Sequence, residues 1–281
     1  MPELPEVELV RRRLRRVMEG ARLERVLTYR RDLRFPLAAD FVSRLEGQTV
    51  RAIRRRAKYL VAELSSGEIL LMHLGMSGSF RVLSNHRADR SSVGQDVTRI
   101  IGHDHVVFQM SSGALVVFND PRRFGFMRII GAGSAATDTT LGSLGPEPLD
   151  RAFTAAALAK ALKGKKTSLK AALSDQRIVA GLGNIYVCEA LHLARLSPKR
   201  RAATIASRSG DPTGRTRLLA DAIRTVLRAA IASGLRRQYR EHRFRVYDRA
   251  GQRCLRRRCS GVIRRIVQVG RATFYCPVCQ R

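Results

Sequence analysis

The chain is short of acid. Its 281 residues carry 23 Asp and Glu against 53 Lys and Arg, a formal net charge of +30. A surplus of that size points to a polyanionic partner, nucleic acid first and an anionic membrane surface second. Lysine is scarce too: only seven of the basic residues are Lys. Part of the arginine therefore reflects a compositional bias, but such a bias exchanges Lys for Arg without removing acids. No run of about 18 apolar residues occurs, which excludes a membrane-spanning helix, and the first residues lack the apolar core of a signal peptide. The expected location is the cytoplasm, associated with the nucleoid if the polyanion is DNA. There, the five cysteines are better metal ligands than disulfide partners. The length suffices for two domains with real cores.

Four of those cysteines cluster at the end as Cys254-x4-Cys259 and, sixteen residues later, Cys276-x2-Cys279. The second pair has knuckle spacing and the first is wider. Four thiolates suit one tetrahedral Zn²⁺ and leave no open position, so the metal is expected to be structural. Between the pairs, residues 262–269 and 273–275 read as strands about Gly270-Arg271, a small hairpin with Arg271 at its tip, free to reach phosphate. Cys188 is left over and is expected to be buried on a helix.

The opening, Met1-Pro2-Glu3-Leu4-Pro5-Glu6-Val7, reads as a helix start. Val7, Val10, Leu14 and Val17 follow at helical spacing and Gly20 can end the run. Pro2 and Glu3 then hang ahead of the helix with no structural job. Either Pro2 merely protects the terminus, or removal of Met1 exposes a secondary amine. An α-amino group titrates near pH 8, so a useful fraction is a neutral nucleophile for a sugar carbon or a carbonyl, and a secondary amine then gives an iminium. Glu3 and Glu6 would then serve as flanking acid or orienting carboxylates.

Residues 21–130 read mostly as strands. Residues 59–78 and 105–125 echo each other: an apolar strand, a Ser-Ser-Gly turn, a second apolar strand. Met76 and Arg122 fall at the same offset after the two turns. If the hairpins are equivalent, an antiparallel sandwich presents both at one rim, where Met76 and Phe124 can wedge between bases and Arg122 can fill the hole left by an extruded nucleotide; otherwise they are turn and surface residues. Lys58 is the only lysine in the first 159 residues. Unlike a guanidinium, an ammonium can give up a proton. His73 either orients the site or packs; His103 and His105 flank Asp104 without an evident third metal ligand. Residues 84–102 form a polar loop.

Residues 131–150 are rich in Gly, Ser, Thr and Pro and read as a linker. Helical patterns follow at 155–162 and in a long segment with Leu218, Ala222, Val226 and Ala230 on one stripe and Leu219, Ile223, Leu227 and Ile231 beside it. Between them, Gly181 and Gly183 allow a tight turn, Asn184 can cap the next helix, and free N–H groups there suit phosphate, with Lys166 and Lys170 supplying cations.

The opening octad, Arg55-Arg56-Ala57-Lys58-Tyr59, His73 to Gly78, Asp120 to Gly125, Gly181 to Tyr186 and Arg271-Ala-Thr-Phe-Tyr-Cys276 recur in one order over nearly the whole chain. In this the sequence resembles the formamidopyrimidine-DNA glycosylase family. The resemblance implies an α+β fold: a catalytic antiparallel β-sandwich with flanking helix (1–135), a linker (136–150), a helix-two-turns-helix DNA-binding domain (151–245) and a zinc-ribbon hairpin (246–281). It implies a bifunctional glycosylase and abasic-site lyase acting as a monomer on oxidised purines in double-stranded DNA, with one structural zinc and no organic cofactor. It makes Pro2 the nucleophile, Glu3 and Glu6 its acids, Lys58 a proton-transfer residue and Arg271 a participant in the second elimination. Met76, Arg122 and Phe124 match the intercalating trio, His73 and His103 lie at DNA-facing positions, and Lys166, Lys170 and Asn184 grip the backbone. One departure stands out. Residues 233–247 lack the Gly-Tyr-Phe segment that covers an extruded base in family members. That keeps open an endonuclease VIII-like preference for oxidised pyrimidines; a non-catalytic zinc-ribbon nucleic-acid binder is the other alternative.

Overall fold

The structure, a computed structural model, describes residues 2–83, 102–235 and 244–281. Nearly all of the polar loop at 84–102, and positions 236–243 of the segment that departs from the family pattern, lie outside the described residues. The chain divides into two compact units, Met1–Pro2 with Glu6–Gly142 and Glu3–Pro5 with Ser143–Arg281.

In the first unit, helix α1 (Leu4–Met18) starts one residue ahead of Pro5. Its apolar stripe delivers Val7, Leu14 and Met18 to the core, and Gly20, at φ +83°, follows the end of the helix. Strand β1 (Leu23–Thr28) and a short helix α2 (Phe41–Leu45) lead to β2 (Val50–Arg56), β3 (Tyr59–Leu64), β4 (Ile69–His73), β5 (Ser79–Leu83), β6 (Asp104–Met110), β7 (Leu115–Asn119) and β8 (Phe126–Ile130). These make two four-stranded sheets, ordered β2-β3-β4-β8 and β1-β6-β7-β5, with every pairing antiparallel. The period of two decides which side chains meet. On β3, Leu60, Ala62 and Leu64 enter a core shared with Phe108, Val116 and Phe118 of the other sheet. Val61 points the other way, to Leu71, Phe126 and Ile130. Each fully buried Phe or Leu of this kind stabilises the unit by about 1.5–3 kcal/mol. The two echoing segments are hairpins, β3–β4 and β6–β7, one in each sheet.

Glu8 ties α1 to the sheet. Its carboxylate accepts from Arg11 and Arg12 on its own helix and from Arg55 on β2. Burial raises its pKa, but these guanidinium groups outweigh that and bring it from 4.5 down to about 2. A depressed carboxylate contributes stability above its unfolded pKa and loses it as pH falls through the folded one. At about 1.4 kcal/mol per pH unit, the contribution is about 3 kcal/mol at neutral pH, fading between pH ~4.5 and ~2. Urea titrations of wild type and Glu8→Gln should differ by roughly that amount at pH 7 and converge near pH 2; a constant difference across the range would refute the assignment.

A four-residue helix, α3 (Thr139–Gly142), closes the first unit, so the division falls inside the stretch read as a linker. The second unit is helical, with α4 (Ala155–Leu162), α5 (Leu169–Ser174), α6 (Asn184–Leu193) and α7 (Gly214–Leu235). Thr154 and Ser168 cap α4 and α5 through their hydroxyls. The core joins Leu173, Tyr186, Val187 and Leu191 to Leu219, Ile223 and Leu227. Leu218 departs from the expected stripe. It is 61 % exposed and borders an open groove with Leu193, Ala194 and Arg256, one step round the helix from the buried line. Strands β9 (Arg264–Gln268) and β10 (Arg271–Tyr275) form the terminal hairpin. Among the described residues no helix is long and apolar enough to cross a membrane.

Candidate active site

In the first unit the loops after the two hairpins meet. Ser77 donates from Oγ to Asp120, Gly125 N donates to the other carboxylate oxygen at 2.7 Å, and Arg122 N donates to Ser77 Oγ. Asp120 is fully buried. A Cβ on Gly75 would lie 2.2 Å from the Phe124 carbonyl carbon, so only glycine lets the loops approach this closely. The clamp leaves three side chains outward: Met76 and Phe124 are each 42 % exposed, and the Arg122 guanidinium lies 4.8 Å above the Phe124 ring. A flexible apolar chain and a cation-stacked ring on one braced rim suit insertion into a base stack. Truncating Asp120 to Ala leaves buried donors without acceptors and should cost about 2–4 kcal/mol of stability. Thermal denaturation measures it; an unchanged midpoint would show that the clamp is incidental.

Lys58 follows Ala57, which sits at φ +52° in the turn between β2 and β3, a left-handed conformation uncommon outside glycine. Arg55 steadies that turn by donating to the Ala57 carbonyl at 2.9 Å. His73 stacks on Phe126, packs at a tilt against Tyr59 and accepts from Gly75 N. Burial, with the charges of Lys58 and Arg34 adding to it, brings the imidazole down to about 4, so at neutral pH it packs as an uncharged ring. His105 is buried with its ring on the Asp120 carbonyl. His103 is exposed. Pro2 and Glu6 are half-buried.

In the second unit Glu3 has a structural job after all. It is 1 % exposed, and its carboxylate accepts from Ile185 N at 2.9 Å and Tyr186 N at 3.4 Å. Leu4 N donates to the Gly181 carbonyl. A carboxylate from the chain start thus caps α6, where backbone N–H groups and the helix dipole favour negative charge. Gly183 makes room: a Cβ there would lie 2.2 Å from the Glu3 carboxyl carbon. This corrects two expectations. The N-cap is Gly183 without a side-chain bond, not Asn184, and the N–H groups read as a phosphate cradle are occupied by Glu3.

Asn184 and Lys170 bond to the hairpin. Asn184 Nδ2 donates to the Ala272 carbonyl at 2.8 Å, and Lys170 Nζ to the Gln268 carbonyl at 3.3 Å, so they hold both sides of the turn ahead of exposed Arg271. Lys170 is 1 % exposed, and burial pushes its ammonium below the ordinary lysine value, with Arg271 adding to the effect. It is therefore no surface cation, whereas Lys166 is exposed. Two residues escaped the sequence reading. Gln176 brackets the glycine turn, accepting from Gly181 N and donating to the Leu182 carbonyl, both at 2.8 Å. Glu189, buried, accepts from Arg245, Val246 and Tyr247 N. The only hint was a carboxylate inside an apolar helical run.

The sulfur atoms of Cys254, Cys259, Cys276 and Cys279 lie within 4.8 Å of one another. Thiolates about 2.3 Å from a tetrahedral ion stand roughly 3.8 Å apart, and the Cys254–Cys279 and Cys259–Cys276 separations are 3.9 and 3.6 Å. The donors thus fit zinc in number, chemistry and spacing. Cys188 is buried beside this cluster.

A braced, outward-facing rim on one unit and a helical unit ending in a four-thiolate ribbon suit a zinc-containing, DNA-binding protein. Family models agree, matching the formamidopyrimidine-DNA glycosylase N-terminal domain at residues 1–127, the H2TH domain of the same enzymes at 144–239, and a zinc finger found in FPG and IleRS at 251–281. A formamidopyrimidine-DNA glycosylase of Bradyrhizobium sp. (strain ORS 278) is 59 % identical over the full length of both chains. Among solved structures, a Lactococcus lactis enzyme bound non-covalently to DNA containing an abasic site superposes at a TM-score of 0.84, with 30 % identity and complete coverage of both chains. The MutM protein of Thermus thermophilus superposes at 0.79 with 35 % identity, covering 99 % of this chain and 98 % of that one. The chain belongs to the formamidopyrimidine-DNA glycosylase family.

Proposed function

We propose that the chain removes oxidised purines from duplex DNA through a covalent intermediate on Pro2 and then breaks the strand at the abasic site. Membership of the family makes it a DNA glycosylase of base excision repair, with the abasic-site lyase activity general to that family. The observation that carries the residue-level reading is the anchoring of Glu3 by the Ile185 and Tyr186 N–H groups, which fixes the position next in sequence to the proposed nucleophile.

In the proposed reaction, Met76, Phe124 and Arg122 hold the gap left by an extruded nucleotide. The Pro2 nitrogen attacks C1′ and the base departs. Glu3 gives a proton during ring opening, supported by Glu6. The resulting iminium acidifies C2′, and successive β and δ eliminations cut the strand on both sides. Lys58 assists proton transfer, and Arg271, held out by the Lys170 and Asn184 clamp, meets phosphate. Zinc bound by Cys254, Cys259, Cys276 and Cys279 would fix the hairpin that carries Arg271. With a net charge of +30, binding should weaken steeply with salt. Such an enzyme acts in the cytoplasm, on the nucleoid.

Lesion choice is the finer question. Without the Gly-Tyr-Phe segment between residues 233 and 247, selection of 8-oxoguanine should be weak beside that of formamidopyrimidines, and oxidised pyrimidines are the competing class. Excision rates on a panel of single-lesion duplexes decide. A clear preference for 8-oxoguanine would sink the idea of a missing cover, and a preference for oxidised pyrimidines would favour the endonuclease VIII-like reading.

A further inference from the structure

Helix α6 holds Glu3 at one end and meets the thiolate cluster at the other. There His192, with no exposed surface, places Nε2 3.3 Å from Cys254 Sγ. Its Nδ1 is buried without a partner. Arg256, on the loop between Cys254 and Cys259, donates to the His192 carbonyl at 2.7 Å and to the Leu193 carbonyl at 3.2 Å. The last turn of α6 is thus joined to the metal loop at two points, imidazole to sulfur and guanidinium to backbone.

A zinc-bound cysteine is a thiolate and can only accept, so the hydrogen between His192 and Cys254 must sit on Nε2. Burying an imidazole with one nitrogen unpaired costs stability, and an apolar ring would fill the space without that cost. The sulfur is the only polar partner of the ring among the described residues, so the compensation lies there. Four thiolates around one Zn²⁺ leave the centre doubly negative, and each N–H donated to a sulfur draws off part of that charge.

We propose that His192 is a positioning residue of the zinc centre: its Nε2–H donates to the Cys254 thiolate, orients that sulfur toward the metal and lowers its nucleophilicity. Zinc is held more tightly as a result, and Cys254 is shielded from oxidants and alkylating agents. Hydrogen-bonded partners beyond the ligands commonly change metal affinity about 10–100-fold when removed.

The test uses full-length zinc-loaded wild type, His192→Phe and His192→Gln, with the metal content of the wild type confirmed first. Chelator competition should show the zinc dissociation constant of His192→Phe raised by about tenfold or more, with His192→Gln, which keeps an N–H donor, close to wild type. After cobalt substitution, the thiolate-to-metal charge-transfer band should move to lower energy in His192→Phe only, a shift that lost packing alone does not produce. Long-range proton–nitrogen NMR on the wild type should find the ring protonated at Nε2, a readout that needs no variant. Unchanged zinc affinity and cobalt spectrum in His192→Phe, equal losses in both variants, or an Nε2 without a proton would each overturn the proposal.

Discussion

Protein whose Pro2 nitrogen is blocked, by acetylation or by an uncleaved extension, is expected to lose excision and strand cleavage by about a thousandfold or more, about 4 kcal/mol of activation free energy. The reaction needs a neutral amine near pH 7 that becomes a cation on bonding to the sugar, and a secondary α-amine near pH 8 meets that requirement better than a lysine about two pH units higher. A blocked nitrogen has no lone pair to offer. Binding to an abasic-site analogue should survive, because the basic surface and the rim formed by Met76, Arg122 and Phe124 are untouched. Single-turnover cleavage measured beside equilibrium binding separates the two effects. Equal losses in both would mean that the block damages the fold rather than the chemistry.

Glu3→Gln is expected to show a double defect. The carboxylate accepts from two N–H groups at the start of α6. An amide keeps one acceptor and turns two donors toward the same donors, so an unfolding free-energy loss of about 1–3 kcal/mol is expected. A proton donor positioned at the reacting group contributes about 10²–10⁴-fold, so cleavage should fall by that factor even at temperatures where the variant is fully folded. Glu3→Asp, shorter by one methylene, retains the proton but shifts its position. It should recover part of the rate and little of the stability. A Glu3→Gln variant with near-normal cleavage would confine Glu3 to the helix cap.

What the sequence made legible is what nearby spacing controls. The α1 stripe, the two Ser-Ser-Gly hairpins, the helix at 155–162 and the four-cysteine set are local patterns with one physical solution each. What stayed hidden lies where a partner is far away in the chain. Asn184 suited a helix cap by its neighbours, yet the cap comes from Glu3, 182 residues upstream of Ile185, and this frees Asn184 for the hairpin. Lys170 read as a cation near the glycine turn; its burial against the Gln268 carbonyl, 98 residues away, leaves no local mark. Leu218 fits the apolar period as well as Leu219, and periodicity cannot say where the covering helices stop. Glu189 and Gln176 gave no motif, since a side chain that satisfies distant backbone groups leaves no local pattern.

In the proposed reaction the deoxyribose bonds to the chain's second residue. Borohydride reduction during reaction with an abasic-site duplex, followed by proteolysis and mass mapping of the adduct, reads out that bond. The expected product is a single crosslinked N-terminal peptide that begins at Pro2, with the sugar on the proline nitrogen. An adduct on Lys58 or on any other lysine, or cleavage that proceeds without a trappable adduct, would contradict it.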